Sequence, residues 1–422
     1  MSTHLARAFG VACWFMALTL YAAMPEDPDL PPLSLPQAVA KALARNPDLK
    51  GFEFRLRAQD GQALTAALSP PFSLRAAVEN VAGTGAAHGA DRAEASFALS
   101  RAIELGGKRQ RRLEASGAVR GVIEIEREAA QLDVLAEVAR RLIHVAADQE
   151  QQGLVRRTTE LAQATLEASE QRFAAARVPE VEVNRARISL ARARLDEEHA
   201  EHELRASRRQ LAAMWGDTEP DFGRVEADLY RLPDIGRFDD LLARLERNPD
   251  ALRYASQARL RDAEIRLAQT RSRADLTVSV GVKRLQETQD QALVMSVEMP
   301  LLGRSRAQGE IIQAEALRGQ ADVMAHAHWV KVQAQLFALY QELQHAIAEA
   351  QMLRLEVLPE MEAALQATEY AYRRGRYSYL EWVDAQRERA SLNRALIEAS
   401  ASAHLYQVEI ERLTAEPLAL AQ

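Results

Sequence analysis

The sequence predicts a mainly α-helical protein with a small β part, one structural unit written twice, and three observations carry that expectation. The helix-ending motif Asn46-Pro47-Asp48 returns as Asn248-Pro249-Asp250. Each copy is followed by a pair of segments with strand-like alternation, and each pair by a very long helical stretch. Composition agrees. Of 422 residues 48% are hydrophobic but only 5% aromatic, so the apolar fraction is mostly Ala and Leu, which suits close helix-to-helix seams better than ring-filled cores.

The segments Leu35 to Asp48 and Phe238 to Asp250 each read as a short amphipathic helix stopped at Asn-Pro, because the residue before proline is pushed out of helical geometry. Strands follow. Leu276, Val278, Val280 and Val282 alternate with Thr277, Ser279, Gly281 and Lys283, and Leu293, Met295, Val297 and Met299 alternate with Val294, Ser296 and Glu298. The polar residues from Gln286 to Gln291 join them as a hairpin. Matching first-half strands are expected over about 72–81 and 95–103, and the second-half strands over about 276–285 and 292–300.

Heptad-like apolar spacing then marks long helices. They are expected over about 108–173 and 179–215 in the first half, and 306–372 and 378–413 in the second, where Pro359 should introduce a kink. The first helix, without an internal proline, should be roughly 100 Å long at about 1.5 Å per residue. The helices break at matching places. Pro179 suits the start of the first returning helix; Gly375 can close one second-half helix and Ser378 cap the next. Ala176 stands in the first break where the second has glycine. The chain divides into a leader (1–23), a first repeat (24–215), a linker rich in Pro, Gly and Asp (216–237), a second repeat (238–413) and a tail (414–422).

The leader is an uncharged, mostly apolar run from Ala8 to Met24 behind His4 and Arg7, and reads as a secretory signal peptide cut near Ala23. The only cysteine, Cys13, lies within it, so neither a disulfide framework nor a thiolate metal cluster is expected. A net charge of −7 argues against nucleic acid as a partner. Strands of nine or ten residues match a tilted membrane-spanning strand of about 9–11 residues. A membrane sheet must close, because edge groups stay unsatisfied in hydrocarbon. Four strands per chain cannot close a useful barrel, whereas three chains would supply twelve.

The duplicated Arg-Asn-Pro-Asp helix end, the strand pairs, the Gly106-Gly107-Lys108-Arg109 turn and the Tyr372 to Gly375 break resemble the TolC family of outer-membrane efflux proteins. Val78-Glu79-Asn80 with its small-residue loop, then Ile103 to Arg109, is similar to the cobalt/zinc/cadmium resistance branch; Pro300 to Arg306 matches more loosely. The resemblance implies a homotrimer with a 12-stranded outer-membrane β-barrel on a long α-helical tube in the periplasm of a Gram-negative bacterium. Its implied partners are outer-membrane lipid, a periplasmic adaptor (membrane fusion) protein and an inner-membrane RND pump. It implies a passive duct for divalent heavy-metal cations, with no catalysis and no cofactor. The alternatives are a family channel for drugs, organic solutes or type I secretion, and a periplasmic coiled-coil adaptor or scaffold.

The resemblance also nominates site residues. Glu381 and Asp384, three apart on one helix face, would form stacked acidic rings under threefold symmetry, with Glu182 as the first-half counterpart. Tyr372 is expected to bond to the neighbouring helix in a closed state, and Arg376, with Arg373 and Arg374, to form ionic latches. Val178, Pro179, Val181, Gly375, Ser378 and Leu380 are the expected adaptor-contacting tips. Elsewhere, His199 and His202 at i, i+3 form a candidate metal pair, more economically read as polar positions on an exposed helix. His326 and His328 point to different faces. The Gly-Gly-Lys-Arg turn lacks the spacing of a phosphate loop.

Overall fold

The computed structural model describes residues 30–301 and 303–415. The expected leader, its cut near Ala23, Cys13, Leu302 and residues 416–422 lie outside that range. Among the described residues a two-residue strand β1 (Leu33–Ser34) comes first, followed by α1 (Leu35–Arg45), α2 (Pro47–Ala66), β2 (Phe72–Glu79), β3 (Glu94–Ile103), α3 (Lys108–Ala174) and α4 (Glu180–Ala212). After a 3-10 turn to Trp215 and the short β4 (Val225–Glu226), the order repeats. It runs α5 (Phe238–Leu245), α6 (Pro249–Thr270), β5 (Leu276–Leu285), β6 (Gln291–Glu298), α7 (Gly303–Met352), α8 (Leu358–Arg373) and α9 (Tyr379–Thr414).

The Asn-Pro-Asp motif does more than stop a helix. Asn46 caps α2 by accepting from the backbone N–H groups of Asp48 (2.9 Å) and Leu49 (3.2 Å), and its amide donates to the carbonyl of Met214, where the return helix ends (2.9 Å). Asn248 repeats this in the second half: it accepts from Asp250 N–H (2.7 Å) and donates to the carbonyls of Arg412 (2.7 Å) and Leu413 (2.9 Å). Each asparagine, 3% exposed, thus satisfies orphan donors at one helix start and orphan acceptors at another helix end. The main core lies beside these staples, where α1, α3, α4 and α9 enclose Val138, Leu142, Ile143, Leu204, Leu211 and Phe222. Of the heptad-spaced apolar residues of α3, Ala139, Leu142 and Ala146 are buried, while Leu132 and Leu135 are half-buried.

The first-half strand β2 ends at Glu79 rather than near 81, because Asn80 (φ 55°) and Ala82 (φ 58°) leave the extended region. Pro359 does not simply kink its helix. It follows a π-helical turn at Leu353–Val357, between α7 and α8. Proline lacks an N–H and its ring crowds the carbonyl four residues back, that of Leu355, so the widened turn absorbs both defects.

The four longer strands form one antiparallel sheet in the order β2-β3-β5-β6, with β2 and β6 at open edges. Its register sorts side chains by face. Phe72, Leu74 and Val78 align with Phe97, Leu99, Val278, Val280, Val282, Leu293, Met295 and Val297 on one side, with Arg101 and Arg284 toward its two ends; Ser73 and Arg75 align with Ser100, Ser279, Ser296 and Lys283 on the other. The apolar side faces outward bare: Leu74 is 74% and Met295 69% exposed. Asp275 anchors the sheet to the helices, accepting from Lys108 Nζ (2.7 Å) and Leu105 N–H (3.2 Å). The turn between needs Gly106 (φ 81°), where an added Cβ would stand 2.5 Å from Arg273 Cδ. No helix among the described residues is long and apolar enough to cross a membrane.

Candidate functional site

At the end of the molecule remote from the sheet, the two helical hairpins turn back with the same backbone geometry. Helix α3 closes with Ala176 at φ 54°, whose N–H donates to Phe173 O (2.8 Å), while Arg177 N–H donates to Arg172 O (2.9 Å). Helix α8 closes with Gly375 at φ 73°, donating to Tyr372 O (2.9 Å), while Arg376 N–H donates to Ala371 O (2.9 Å). Both are left-handed closures with a bond from the residue after the turn to the carbonyl five back. Ala176 therefore adopts the glycine conformation without being glycine. Pro179 caps α4 from just outside it, and Val178 is half-buried while Val181 is 52% exposed. Ser378 caps α9, accepting from Glu381 N–H (3.3 Å), and Leu380 is 45% exposed.

The tips are packed together by aromatic residues. Leu166, Val183, Ala186 and Leu190 of the first hairpin meet Leu365, Tyr372, Tyr379, Trp382 and Val383 of the second. Tyr372 is central. Its ring stacks on Trp382 (centroids 4.8 Å apart, planes within 15°), and the Arg172 guanidinium lies 4.5 Å from its centroid. Its hydroxyl donates to Glu182 Oε1 at 2.5 Å. Burial, then the Glu182 carboxylate, push the Tyr372 phenol well above the usual tyrosine range. Tyr379 is shifted the same way, by burial first and the Glu182 charge second, and its buried hydroxyl has no hydrogen-bond partner.

The nominated residues separate into those the fold joins and those it leaves apart. Tyr372 and Glu182 touch, linking α8 to α4. Glu381 and Asp384 are both exposed on α9, but Glu381 is occupied: its Oε2 accepts from Ser378 N–H at 2.6 Å, completing a capping box. That backbone bond, with the Ser378 hydroxyl, holds the Glu381 carboxyl below the usual range. Among the described residues Asp384 pairs with Arg387 at 3.7 Å, both well exposed, a contact of little energetic weight. Arg373 pairs with Glu369 (2.5 Å), Arg374 lies 4.6 Å from the Tyr370 ring, and Arg376 stays exposed on the tip. Arg172 and Trp382 were not nominated from sequence. Their signal was the clustering of Tyr372, Tyr379 and Trp382 around one break in a chain with 5% aromatics.

Other candidates do not converge. His199 pairs with Glu203 at 3.2 Å on an exposed helix face. His328 packs against Tyr254 with the rings tilted and their centroids 4.7 Å apart, and burial pushes its imidazole below the usual histidine range. Among the described residues no group of three or more His, Cys, Asp or Glu is placed to hold a metal.

Comparisons with known proteins agree with this architecture. The outer membrane efflux protein family matches residues 38–217. The cobalt-zinc-cadmium resistance protein CzcC of Cupriavidus metallidurans is 29% identical over 358 residues, covering 84% of each chain. In fold, the chain is similar to CusC (TM-score 0.75, 16% identity, 92% of this chain and 93% of that one). It is likewise similar to the outer membrane protein VceC of Vibrio cholerae (TM-score 0.71, 19% identity, 91% and 96%). The chain thus resembles the TolC family of outer membrane efflux proteins, by family match over residues 38–217 and by likeness to CzcC over most of its length, and its place is the outer membrane of a Gram-negative bacterium.

Proposed function

We propose that three copies of this chain form the outer-membrane duct of a three-part RND-type efflux system, closing a 12-stranded barrel on a periplasmic tube of helices. The observation that carries this is the four-stranded sheet: both edges are open, one face is bare and apolar, and the other is polar. Open edges and a bare apolar face are tolerable together only where edges pair with other chains and the face meets lipid. Joining three sheets edge to edge meets both needs, and leaves the polar face around a water-filled bore. The same face weighs against a periplasmic adaptor or scaffold.

The duct is passive and catalyses no reaction. Its closed state is held at the tips, where Tyr372 and Glu182 join the hairpins, and it opens when an adaptor, coupled to an inner-membrane pump, engages Val178, Pro179, Val181, Gly375, Ser378 and Leu380. Glu182, Glu381 and Asp384 supply negative charge at that entrance and Arg376 the counter-charge; acids in a ring draw cations. Divalent heavy-metal cations are the substrate class that similarity to CzcC supports. The test is growth of a strain lacking this gene on divalent metals and on drugs. Sensitivity to metals, reversed by the wild-type gene, supports the reading; sensitivity confined to drugs or organic solutes replaces it with the general-solute channel. Detergent-extracted protein should have the mass of a trimer.

A further inference from the structure

The polar face of the sheet is also the face on which the central strands β3 and β5 come close together. Hydroxyls of paired serines meet on it: Ser73 and Ser100 at 2.7 Å, Ser279 and Ser296 at 2.6 Å. A Cβ placed on Gly281 would lie 2.7 Å from Ala98 Cβ and 2.4 Å from Phe97 O, whereas cross-strand Cβ atoms ordinarily stand about 4.5–5.5 Å apart. The strands therefore converge toward this side, and glycine is what permits it.

Successive rows of this face can be followed across all four strands. Ser73, Ser100, Ser279 and Ser296 form one row. Toward the β2–β3 loop, the next row on this face is Arg75, Ala98, Gly281 and Val294, and the one after contains Ala77, Ser96, Lys283 and Ala292. Charge is compensated unevenly. Lys283 is held by Glu94 and, at 3.4 Å, by Glu79. Glu298 lies four residues beyond Val294 on β6, about 13 Å along the strand. Among the described residues no carboxylate pairs with Arg75, and its row-mates Ala98 and Gly281 leave space for its guanidinium.

We propose that Arg75 is a charge-selecting residue of the exit barrel: three guanidiniums at one height form an anion-attracting belt beside a neutral girdle of serine hydroxyls. This rests on the reading that three copies close a barrel with the polar face inward. Rings of fixed charge set the sign of ion a pore favours, and small inorganic anions are the species this belt attracts. The exit limb then opposes in charge the acids at the helical tips.

The experiment measures reversal potentials of the purified trimer in planar bilayers under a KCl gradient. Arg75→Gln should raise the potassium-to-chloride permeability ratio at least about twofold near 0.1 M salt, Arg75→Glu should raise it further, and Arg75→Lys should leave it near wild type. The differences should fade at 1 M, where screening shortens to about 3 Å. In a background where Cys13, the only native cysteine, is replaced by serine, a trimethylammonium thiol reagent on Arg75→Cys should restore the ratio. Leu74→Cys, on the apolar face, should not respond. Channels that form normally but whose ratio is unchanged in Arg75→Glu, or whose Arg75→Cys ratio is indifferent to the reagent, overturn the belt while leaving the barrel standing. A wild-type protein that forms neither trimer nor channel overturns the barrel and the belt with it.

Discussion

Replacing Tyr372 with phenylalanine removes one oxygen and leaves the stack on Trp382 and the Arg172 contact in place. The atom lost is the donor to Glu182 Oε1, at 2.5 Å. A hydrogen bond to a charged group contributes about 1.5–3 kcal/mol; because Glu182 is only half-buried, about 1 kcal/mol per chain is a reasonable value after solvent screening. That corresponds to roughly a fivefold gain in the open-to-closed ratio for one chain, or roughly a hundredfold if three tips part together. Single-channel recording in planar bilayers reads this directly as open probability. Glu182→Gln should give a similar gain, and the double variant little more than either, since both remove one contact. The phenol also predicts a pH effect. Its raised pKa means the latched state holds its proton while a released tyrosine ionises near pH 10, so latching is fully present below that value and weakens as pH rises beyond it. An open probability unchanged in Tyr372→Phe, or additive effects in the double variant, would refute the latch.

Three further outcomes are expected. Ala176→Gly should stabilise the first tip by about 1 kcal/mol, because alanine at φ 54° bears a left-handed penalty that glycine avoids, whereas Gly375→Ala should destabilise the second tip by a similar amount; urea unfolding of the purified trimer measures both. Glu381→Gln should preserve the α9 cap and Glu381→Ala should lose it, as seen in amide exchange over residues 379–382; since the folded carboxyl is held below its usual range, the charge-dependent part of the cap is present at neutral pH and lost as acid titrates it. Asn46→Ala and Asn248→Ala should each lower stability by about 1–3 kcal/mol, because each asparagine makes three hydrogen bonds that join one helix start to another helix end.

Sequence carried the repeat and the strands because those signals are local. Leu276 to Val282 alternate with period two since a sheet with one apolar face permits nothing else, and Asn-Pro-Asp ends a helix wherever it stands. The partners of the two asparagines were not legible, since Met214 and Leu413 lie more than 160 residues away and offer only backbone carbonyls. At the tip, Glu381 looked like a free acid because its spacing to Asp384 suggests a charged face. Its spacing of three from Ser378 was the stronger signal, a capping box. Stacking of Tyr372 on Trp382 depends on how two helices meet, which no run of ten residues encodes.

The π turn before Pro359 keeps time for the second hairpin. Buried Leu336, Leu343 and Ala350 recur at intervals of seven, as do Leu365 and Tyr372, but Ala350 to Leu365 is fifteen, one more than two sevens. The extra residue sits in the widened turn, with Leu353 and Leu358 packed at its flanks. Without it, everything beyond would be rotated by about 100° around the helix axis. Tyr372 would then leave the seam and lose its line to Glu182. A backbone irregularity nearly twenty residues away thus sets the phase in which the tip meets its neighbour.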